Sequence, residues 1–319
     1  MKKNKFEWKP TECAPYHYAA EIYHGDMITE KDKYYTIPYG GTINNGWGTT
    51  GTYWAVGDDF KTIPSRLKII WLSYTEDQFY FLDTELPKQK IVELFEKGYV
   101  NKKGKQDTYD EILVGLAPGG AVSVWLFSAE FTVEAGHYQA KKTDVPMSEF
   151  NPDGIQDRNK YVKEVQEGFS EETKKVIAEQ GIPIGKWTAY RERFLWKPII
   201  KHVDVLKLAT IYNNFYNGEH YAIVANNPIL QEYHKYPPSE KITFYWYDKN
   251  NNKFGCKIKF EEKEIWSAFK TMYKKEEVEQ AELVFAIDKY NSNVKITLES
   301  AQDTIEIKKA EIKTFTTSD

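Results

Sequence analysis

Short runs of aromatic and β-branched residues, separated by turn-forming residues, recur along most of the chain. Residues of these types favour pleated, half-buried surfaces, and alternation along a run turns one of its faces inward. Polar turns join the runs in pairs, which is typical of β-hairpins. Two of the predicted hairpins are Leu67–Tyr74 with Gln78–Leu82, and Ile242–Tyr247 with Phe254–Phe260.

A segment with helical periodicity follows each of these hairpins. In the first, Pro87 opens the segment, Ile91, Leu94 and Phe95 recur at helical spacing, and Gly98 is a stop signal. An apolar stripe of this kind is typical of a helix that packs on a core. The stripe of the second segment consists of Ile265, Trp266, Phe269, Met272 and Tyr273.

The chain contains one stretch twice. Val122–Ala135 and Val294–Ile307 align without a gap and share six of fourteen residues. The motif F-x-W-K-P also occurs twice, starting at Phe6 and at Phe194. Matches that recur in the same order indicate internal duplication.

These elements predict an α+β fold of two tandem antiparallel-sheet repeats, about β-ββ-α-ββ-β each, joined by a helical segment. Helices are predicted within that segment at 153–168 and 170–180, the second with Ser170 as its N-cap. The predicted domains are a first repeat at 1–150, a helical bridge at 151–190, and a second, degenerate repeat at 191–319.

The composition narrows the class of protein. With 41% hydrophobic residues, of which the aromatics are especially frequent, the chain can bury a full core. Its formal net charge of −4 provides no basic field, which argues against nucleic-acid binding. Cys13 and Cys256 form no CxxC motif or Cys/His cluster, so buried free thiols are favoured over a disulfide or a metal site.

A glycine-rich loop at Gly40–Gly51 is the most distinctive segment of the first repeat, and residues 225–236 of the second repeat are unrelated to it. Exposed Trp and Tyr side chains are typical of carbohydrate sites and of hot spots in protein interfaces. The alternative is that these aromatics simply cover the sheet. The predicted partner-binding residues are Trp47, Tyr53, Trp54, Glu76, Pro118, Gly119 and Gly120.

The sequence offers no catalytic constellation. Its 6 histidines are scattered without an HExxH or other i, i+4 pair, and no G-x-S-x-G occurs. Gly181–Lys186 imitates a phosphate-binding loop but is too short and lacks the closing Ser or Thr. We therefore predict no catalytic residue, no metal and no cofactor. An enzyme with an unfamiliar site, using Glu76 or His137, is kept as an alternative.

The N-terminus shows no secretory leader, because no apolar segment follows Met1–Lys5 before Pro10. The most apolar uncharged stretch, Ile112–Phe127, is shorter than the roughly 18 to 20 residues that a membrane span needs, and Pro118-Gly119-Gly120 splits it. The sequence as written predicts no membrane span and a cytoplasmic location. A periplasmic lipoprotein is the alternative if a leader has been trimmed.

Several motifs of the first half recur, in order, in one known family. They are F-x-W-x-P at 6–10, I-P at 37–38, W-G at 47–48, W-L-S-Y at 71–74 with Glu76 and F-Y at 79–80, L-P at 86–87, and G-L-A-P-G-G at 115–120 with V-x-V-W-L at 122–126. On these residues, about Lys5 to Lys141 resembles the bacterial family called domain of unknown function 2931. The second half resembles the first only through the internal repeat.

The resemblance implies a binding role and no established activity. Many members look like lipoproteins of Gram-negative bacteria, and some are encoded beside type VI secretion effectors, which implies immunity proteins. We therefore expect a non-catalytic, immunity-type protein whose partner is a secreted effector toxin. A glycan or cell-envelope binding module, motivated by the same tryptophans with Asn44 and Asn45, is the second alternative beside the enzyme.

Overall fold

A computed structural model describes residues 5–54, 57–202, 207–225, 227–274 and 277–317 of the protein. The basic residues 1–4, used above to judge the leader, lie outside these ranges. The chain forms two compact units, the first of residues 1–98 and 108–189, and the second of 99–107 and 190–319. The fold class is α+β as predicted, with mostly antiparallel sheets and six α-helices among the described residues.

The strands up to residue 150 are β1 (Lys5–Glu7), β2 (Lys9–Cys13), β3 (Ala20–Ile28), β4 (Tyr34–Thr36), β5 (Phe60–Thr62), β6 (Arg66–Ser73), β7 (Gln78–Glu85), β8 (Tyr99–Val100), β9 (Gln106–Asp107), β10 (Glu111–Ala117), β11 (Ala121–Phe127), β12 (Phe131–Gln139) and β13 (Lys141–Thr143). The later strands are β14 (Phe194–His202), β15 (Lys207–Phe215), β16 (His220–Val224), β17 (His234–Tyr236), β18 (Ser239–Tyr247), β19 (Lys253–Lys259), β20 (Ala281–Ile287), β21 (Val294–Glu299), β22 (Thr304–Ile307) and β23 (Glu311–Thr316). The helices are α1 (Lys88–Lys97), α2 (Met147–Phe150), α3 (Arg158–Glu167), α4 (Glu171–Gln180), α5 (Lys186–Ala189) and α6 (Glu262–Tyr273).

The first unit contains two main sheets. One has the order β2-β10-β11-β12, in which β2 and β10 are parallel. The other has the order β13-β7-β6-β3-β4 and is antiparallel throughout. The first unit therefore departs from the predicted antiparallel-sheet repeat in two respects, the parallel pair and the division into two sheets. The reason is that β2 meets β10 only after the β6–β7 hairpin and α1, and a crossover of that length permits parallel pairing.

The second unit also contains two main sheets. One has the order β17-β14-β20-β21-β22, with β14 parallel to β20, and the other has the order β16-β15-β18-β19-β23. The last part of the chain forms two separate strands, β22 and β23. The chain breaks between them because the backbone N–H groups of Lys308 and Lys309 donate to the Glu264 carboxylate, at 3.1 and 2.7 Å.

The helices follow the predicted signals with one correction. Helix α1 buries Ile91 and Phe95 and ends at Gly98, whose φ is +52°. Helix α4 begins after Ser170, as predicted. Helix α3 begins at Arg158 and not at residue 153, because the Asp157 side chain accepts the N–H of Lys160 and so sets the first turn later. None of the helices in the described ranges combines the length and apolar composition needed to cross a membrane.

The tryptophans of the repeated motifs form the cores of both units. Trp8 and Trp196, from F-x-W-K-P, have no exposed surface, and neither do Trp71 and Trp246 of the hairpins. In the first unit the helical segment adds Val162, which packs with residues of β6 and β7. Large apolar side chains from distant parts of the sequence thus hold each unit together.

Candidate functional site

The glycine-rich loop Gly40–Gly51 is held against β2 by one side chain. The Asn45 amide donates its Nδ2 hydrogens to the carbonyl oxygens of Glu12, at 3.3 Å, and Thr49, at 2.6 Å. Its Oδ1 accepts the backbone N–H of Ala14, at 3.3 Å. Because these bonds join the loop to the end of β2 and close the loop on itself at Thr49, the loop has a fixed shape on the surface of the unit.

Gly51 brings the end of this loop into direct contact with Glu12. A Cβ at Gly51 would lie 2.5 Å from the Glu12 carbonyl oxygen and 2.6 Å from its Oε1. The next residue, Thr52, donates its backbone N–H to the same Oε1, at 2.8 Å. Only glycine permits this approach, so the loop is built to cover the Glu12 side chain.

The Glu12 carboxyl group is buried beneath the loop. It is 4% exposed, and its Oε2 has no hydrogen-bond partner among the described residues. On the neighbouring strand β10, Glu111 is also buried and accepts the Thr50 hydroxyl, at 2.5 Å. Burial, with a smaller contribution from the charge of Glu111, raises the pKa of Glu12 to about 7. Burial likewise raises the pKa of Glu111.

A pocket of about 300 Å³ lies between the loop and Glu12, and its walls include Tyr39, Asn44 and Thr52. The rings of Tyr39 and Trp54 pack edge to face beside it, with centroids 5.1 Å apart. Tyr39, Tyr53 and Trp54 are 51%, 53% and 36% exposed, and we call these three residues the aromatic rim. The pocket therefore combines a buried carboxyl group with exposed aromatic rings.

The predicted binding residues fall into separate places. Tyr53 and Trp54 belong to the aromatic rim. Trp47 instead packs against Trp125, with ring centroids 4.8 Å apart, and against Trp187, at 6.1 Å. Since Trp47 also contacts the buried cluster around Cys13, most of its ring is occupied by packing.

Glu76 and the turn Pro118–Gly120 meet in a second cluster. Both carboxylate oxygens of Glu76 accept the backbone N–H of Gly119, and its Oε1 also accepts the Tyr80 hydroxyl, at 2.8 Å. Pro118 and Gly120 are buried. The structure thus brings these predicted residues together as a fastened hairpin turn.

His137 lies in a chain of hydrogen bonds. Its Nδ1 is 2.8 Å from the Ser123 hydroxyl and its Nε2 is 2.9 Å from the Thr188 hydroxyl. Ser123 is only 1% exposed, so a substrate has no access to it as a nucleophile. The chain of bonds is best explained as a tie between β11, β12 and α5.

The two cysteines agree with the prediction of buried free thiols. Cys13 and Cys256 are free and buried. Within the described ranges, no group of three or more His, Cys, Asp or Glu side chains is placed to hold a metal ion.

Sequence reasoning missed Glu12, Glu111 and Tyr39. No strand predicted from the sequence included Glu12 or Glu111, although both lie on largely buried strands, β2 and β10, where a carboxyl group is costly without a role or a partner. Tyr39 differs in no visible way from the other tyrosines of the chain. Its place at the pocket depends on the folded loop.

Comparison with known proteins gives one match. The family model described as Protein of unknown function (DUF2931) matches residues 1–185, a range that includes the loop, the pocket and the aromatic rim. No curated protein and no solved structure matches the chain.

Proposed function

The chain belongs to the DUF2931 family, and from its aromatic rim we propose that it is a non-catalytic binding protein with a protein partner. The observation that carries the proposal is the exposure of Tyr39, Tyr53 and Trp54 on one fixed loop region. Residues of these types dominate the binding energy of many interfaces when a polar rim surrounds them.

We further propose that the protein is of the immunity type and that its partner is a secreted, type VI-like effector toxin. The resemblance of the first half to its family supports this role, since some members are encoded beside such effectors. The aromatic rim lies within the matched residues. The proposal therefore assigns toxin binding to the first unit.

The second half is, in this proposal, a degenerate copy of the first that has lost the binding loop. The strand orders support it, because β4-β3-β6-β7-β13 corresponds to β16-β15-β18-β19-β23, and β2-β10-β11-β12 to β14-β20-β21-β22. A parallel first pair and one helix after the central hairpin occur in both. Copies that keep a fold and differ in one loop are free to differ in function.

A glycan is the second candidate ligand. The observation that favours it is the placement of Asn44 in the pocket wall near Tyr39; Asn45 also lines the pocket, but its amide is bonded to Glu12, Ala14 and Thr49. Amide groups beside an exposed aromatic ring suit sugar hydroxyls and the apolar face of a sugar. Such a ligand predicts changes in tryptophan fluorescence during titration with cell-wall sugars.

The test is a pull-down with the full-length protein from lysate of its host, to which the product of the neighbouring gene is added. The captured proteins are identified by mass spectrometry. Wild type is compared with the double variant Tyr39→Ala/Trp54→Ala and with Tyr290→Ala, a control at an exposed tyrosine of the second unit. We expect one stoichiometric partner that is toxic when expressed alone and harmless with wild type or the control. Equal capture and protection by the double variant would overturn the proposed placement.

A further inference from the structure

The Glu12 carboxyl group has hydrogen-bonding capacity that the described residues leave unused. Its Oε1 accepts the Thr52 N–H, whereas its Oε2 is buried and has no such partner. An unsatisfied polar atom in a buried position costs free energy, so its persistence calls for an explanation. The Glu12 side chain also forms part of the pocket wall, so a ligand bound in the pocket would explain the unused acceptor.

The charges around this pocket are one-sided. Glu12 and Glu111 lie on the paired strands β2 and β10, and the charge of Glu111 raises the cost of ionising Glu12. Among the described residues, no Lys or Arg forms an ion pair with either carboxyl group. The charge of Lys9 partly offsets the raised pKa of Glu111, and its Nζ lies 4.6 Å from the centre of the Tyr53 ring. A cationic group in the pocket would supply the positive charge that complements these two carboxyl groups.

We propose that the pocket receives a lysine or arginine side chain of the protein partner, with its cationic group on Glu12 and its stem along Tyr39. This inference rests on the proposed function and deepens it. The aromatic rim suits such a guest, because Tyr and Trp faces attract ammonium and guanidinium groups and cover methylene stems. A buried charge pair of this kind is a common determinant of specificity at interfaces.

A neutral hydroxyl would satisfy Oε2 but would leave the two carboxyl groups opposed. A cation stabilises the ionised form of Glu12, so its binding is coupled to the loss of the proton that Glu12 holds near neutral pH. The groups that act on the Glu12 carboxyl group are the backbone N–H and the side chain of Thr52, the backbone of Glu12 itself, and the charge of Glu111 on β10. Of these groups, Glu111 alone carries charge, and its charge raises the pKa of Glu12. Cation binding is therefore expected to strengthen as the pH rises and Glu12 loses its proton.

The experiment titrates the full-length protein with butylammonium and ethylguanidinium, which are side-chain analogues, and follows loop amide signals by NMR. Butylurea serves as the neutral control probe, and N-acetylglucosamine tests the sugar alternative. The variants are Glu12→Gln, Tyr39→Ala and the control Tyr290→Ala. Because Tyr39 is exposed, its variant keeps the test informative even if Glu12→Gln alters folding.

We expect millimolar binding of both cations to wild type and to Tyr290→Ala, about tenfold weaker binding to Glu12→Gln, and no comparable binding of butylurea. For a pKa of about 7 at Glu12, the cations should bind about tenfold more tightly at pH 8 than at pH 6. Equal binding of butylurea, equal binding by Glu12→Gln, or a response to the sugar alone would each overturn the inference.

Partner capture separates this inference from the proposed function. Full capture by Glu12→Gln, with loss in Tyr39→Ala/Trp54→Ala, overturns the cation pocket and leaves the binding function standing. Glu12-dependent cation binding without a captured partner supports the cation pocket and overturns the protein partner.

Discussion

Both carboxylate oxygens of Glu76 lie 3.1 Å from the backbone nitrogen of Gly119, so one side chain fastens the turn between β10 and β11. Removing the carboxylate leaves that buried-turn N–H and the Tyr80 hydroxyl without their acceptor. We expect Glu76→Ala to lower the free energy of unfolding by about 2 kcal/mol, measured by urea denaturation. Glu167→Ala, at an exposed helical carboxylate, is the control and should change it by less than about 0.5 kcal/mol.

Replacement of Trp47 and replacement of Trp54 are expected to lower the stability of the protein by very different amounts. Trp47 packs against Trp125 and Trp187, so Trp47→Ala should cost about 3 kcal/mol of stability in thermal or urea unfolding. Trp54 is partly exposed, so Trp54→Ala should cost less than about 1 kcal/mol while weakening partner binding. Similar losses of stability in the two variants would contradict the distinction drawn between them.

The contact between Gly51 and Glu12 gives a steric prediction. In Gly51→Ala the new methyl group meets the Glu12 carbonyl oxygen at 2.5 Å, so the loop has to move. We expect a loss of about 1 to 3 kcal/mol in the free energy of unfolding and a changed pocket. Gly41→Ala is a matched control in the same loop, because nothing lies within 4 Å of a Cβ there. An unfolding midpoint unchanged by Gly51→Ala would count against the described loop.

The raised pKa of Glu12 predicts a pH dependence of stability. The pKa is about 7 in the folded protein against 4.5 for an ordinary glutamate, so the folded state binds more protons between these values and stability falls as pH rises through them. The loss amounts to up to about 3 kcal/mol. Glutamine resembles the neutral carboxyl group, so Glu12→Gln should match wild type near pH 4 and exceed its stability at pH 8.

The measurement is urea unfolding of both proteins across that pH range. Burial also raises the pKa of Glu111, so a weaker slope of the same sign should remain in Glu12→Gln. Parallel stability curves for wild type and variant would show that the Glu12 carboxyl group does not carry the effect.

The two thiols are expected to be inert in the folded protein. Burial raises the pKa of Cys13 and of Cys256 to about 12, so almost no thiolate exists at pH 8. A thiol-specific chromogenic disulfide should label neither residue in native protein and both after addition of urea. Rapid labelling of one equivalent without denaturant would contradict this prediction.

Hairpins and helices were predictable because their signals are local. The predicted hairpin of Leu67–Tyr74 with Gln78–Leu82 forms as β6 and β7, and Ile91 with Phe95 marks the buried face of α1. Even the start of α4 at Ser170 follows from one residue and its neighbours. Interactions within a few residues leave a pattern that the sequence displays.

The parallel pairing of β2 with β10 and the site itself depend on distant residues. Trp47 and Trp54 look equivalent in the sequence, and only Trp125 and Trp187 decide which of them is packed. The role of Glu12 likewise requires a loop that begins almost thirty residues later in the chain. No local pattern records such contacts, which explains why the candidate site was only partly predicted.

The Asn45 hydrogen bonds have a consequence for the rate of association. Since this amide fixes the loop in the free protein, the aromatic rim already has the shape that a partner meets. Little conformational freedom is then lost on docking, because folding has already removed it. Association with a protein partner should proceed as a single diffusive encounter without a slow ordering phase, a kinetic property well suited to the proposed binding of a toxin at low concentration.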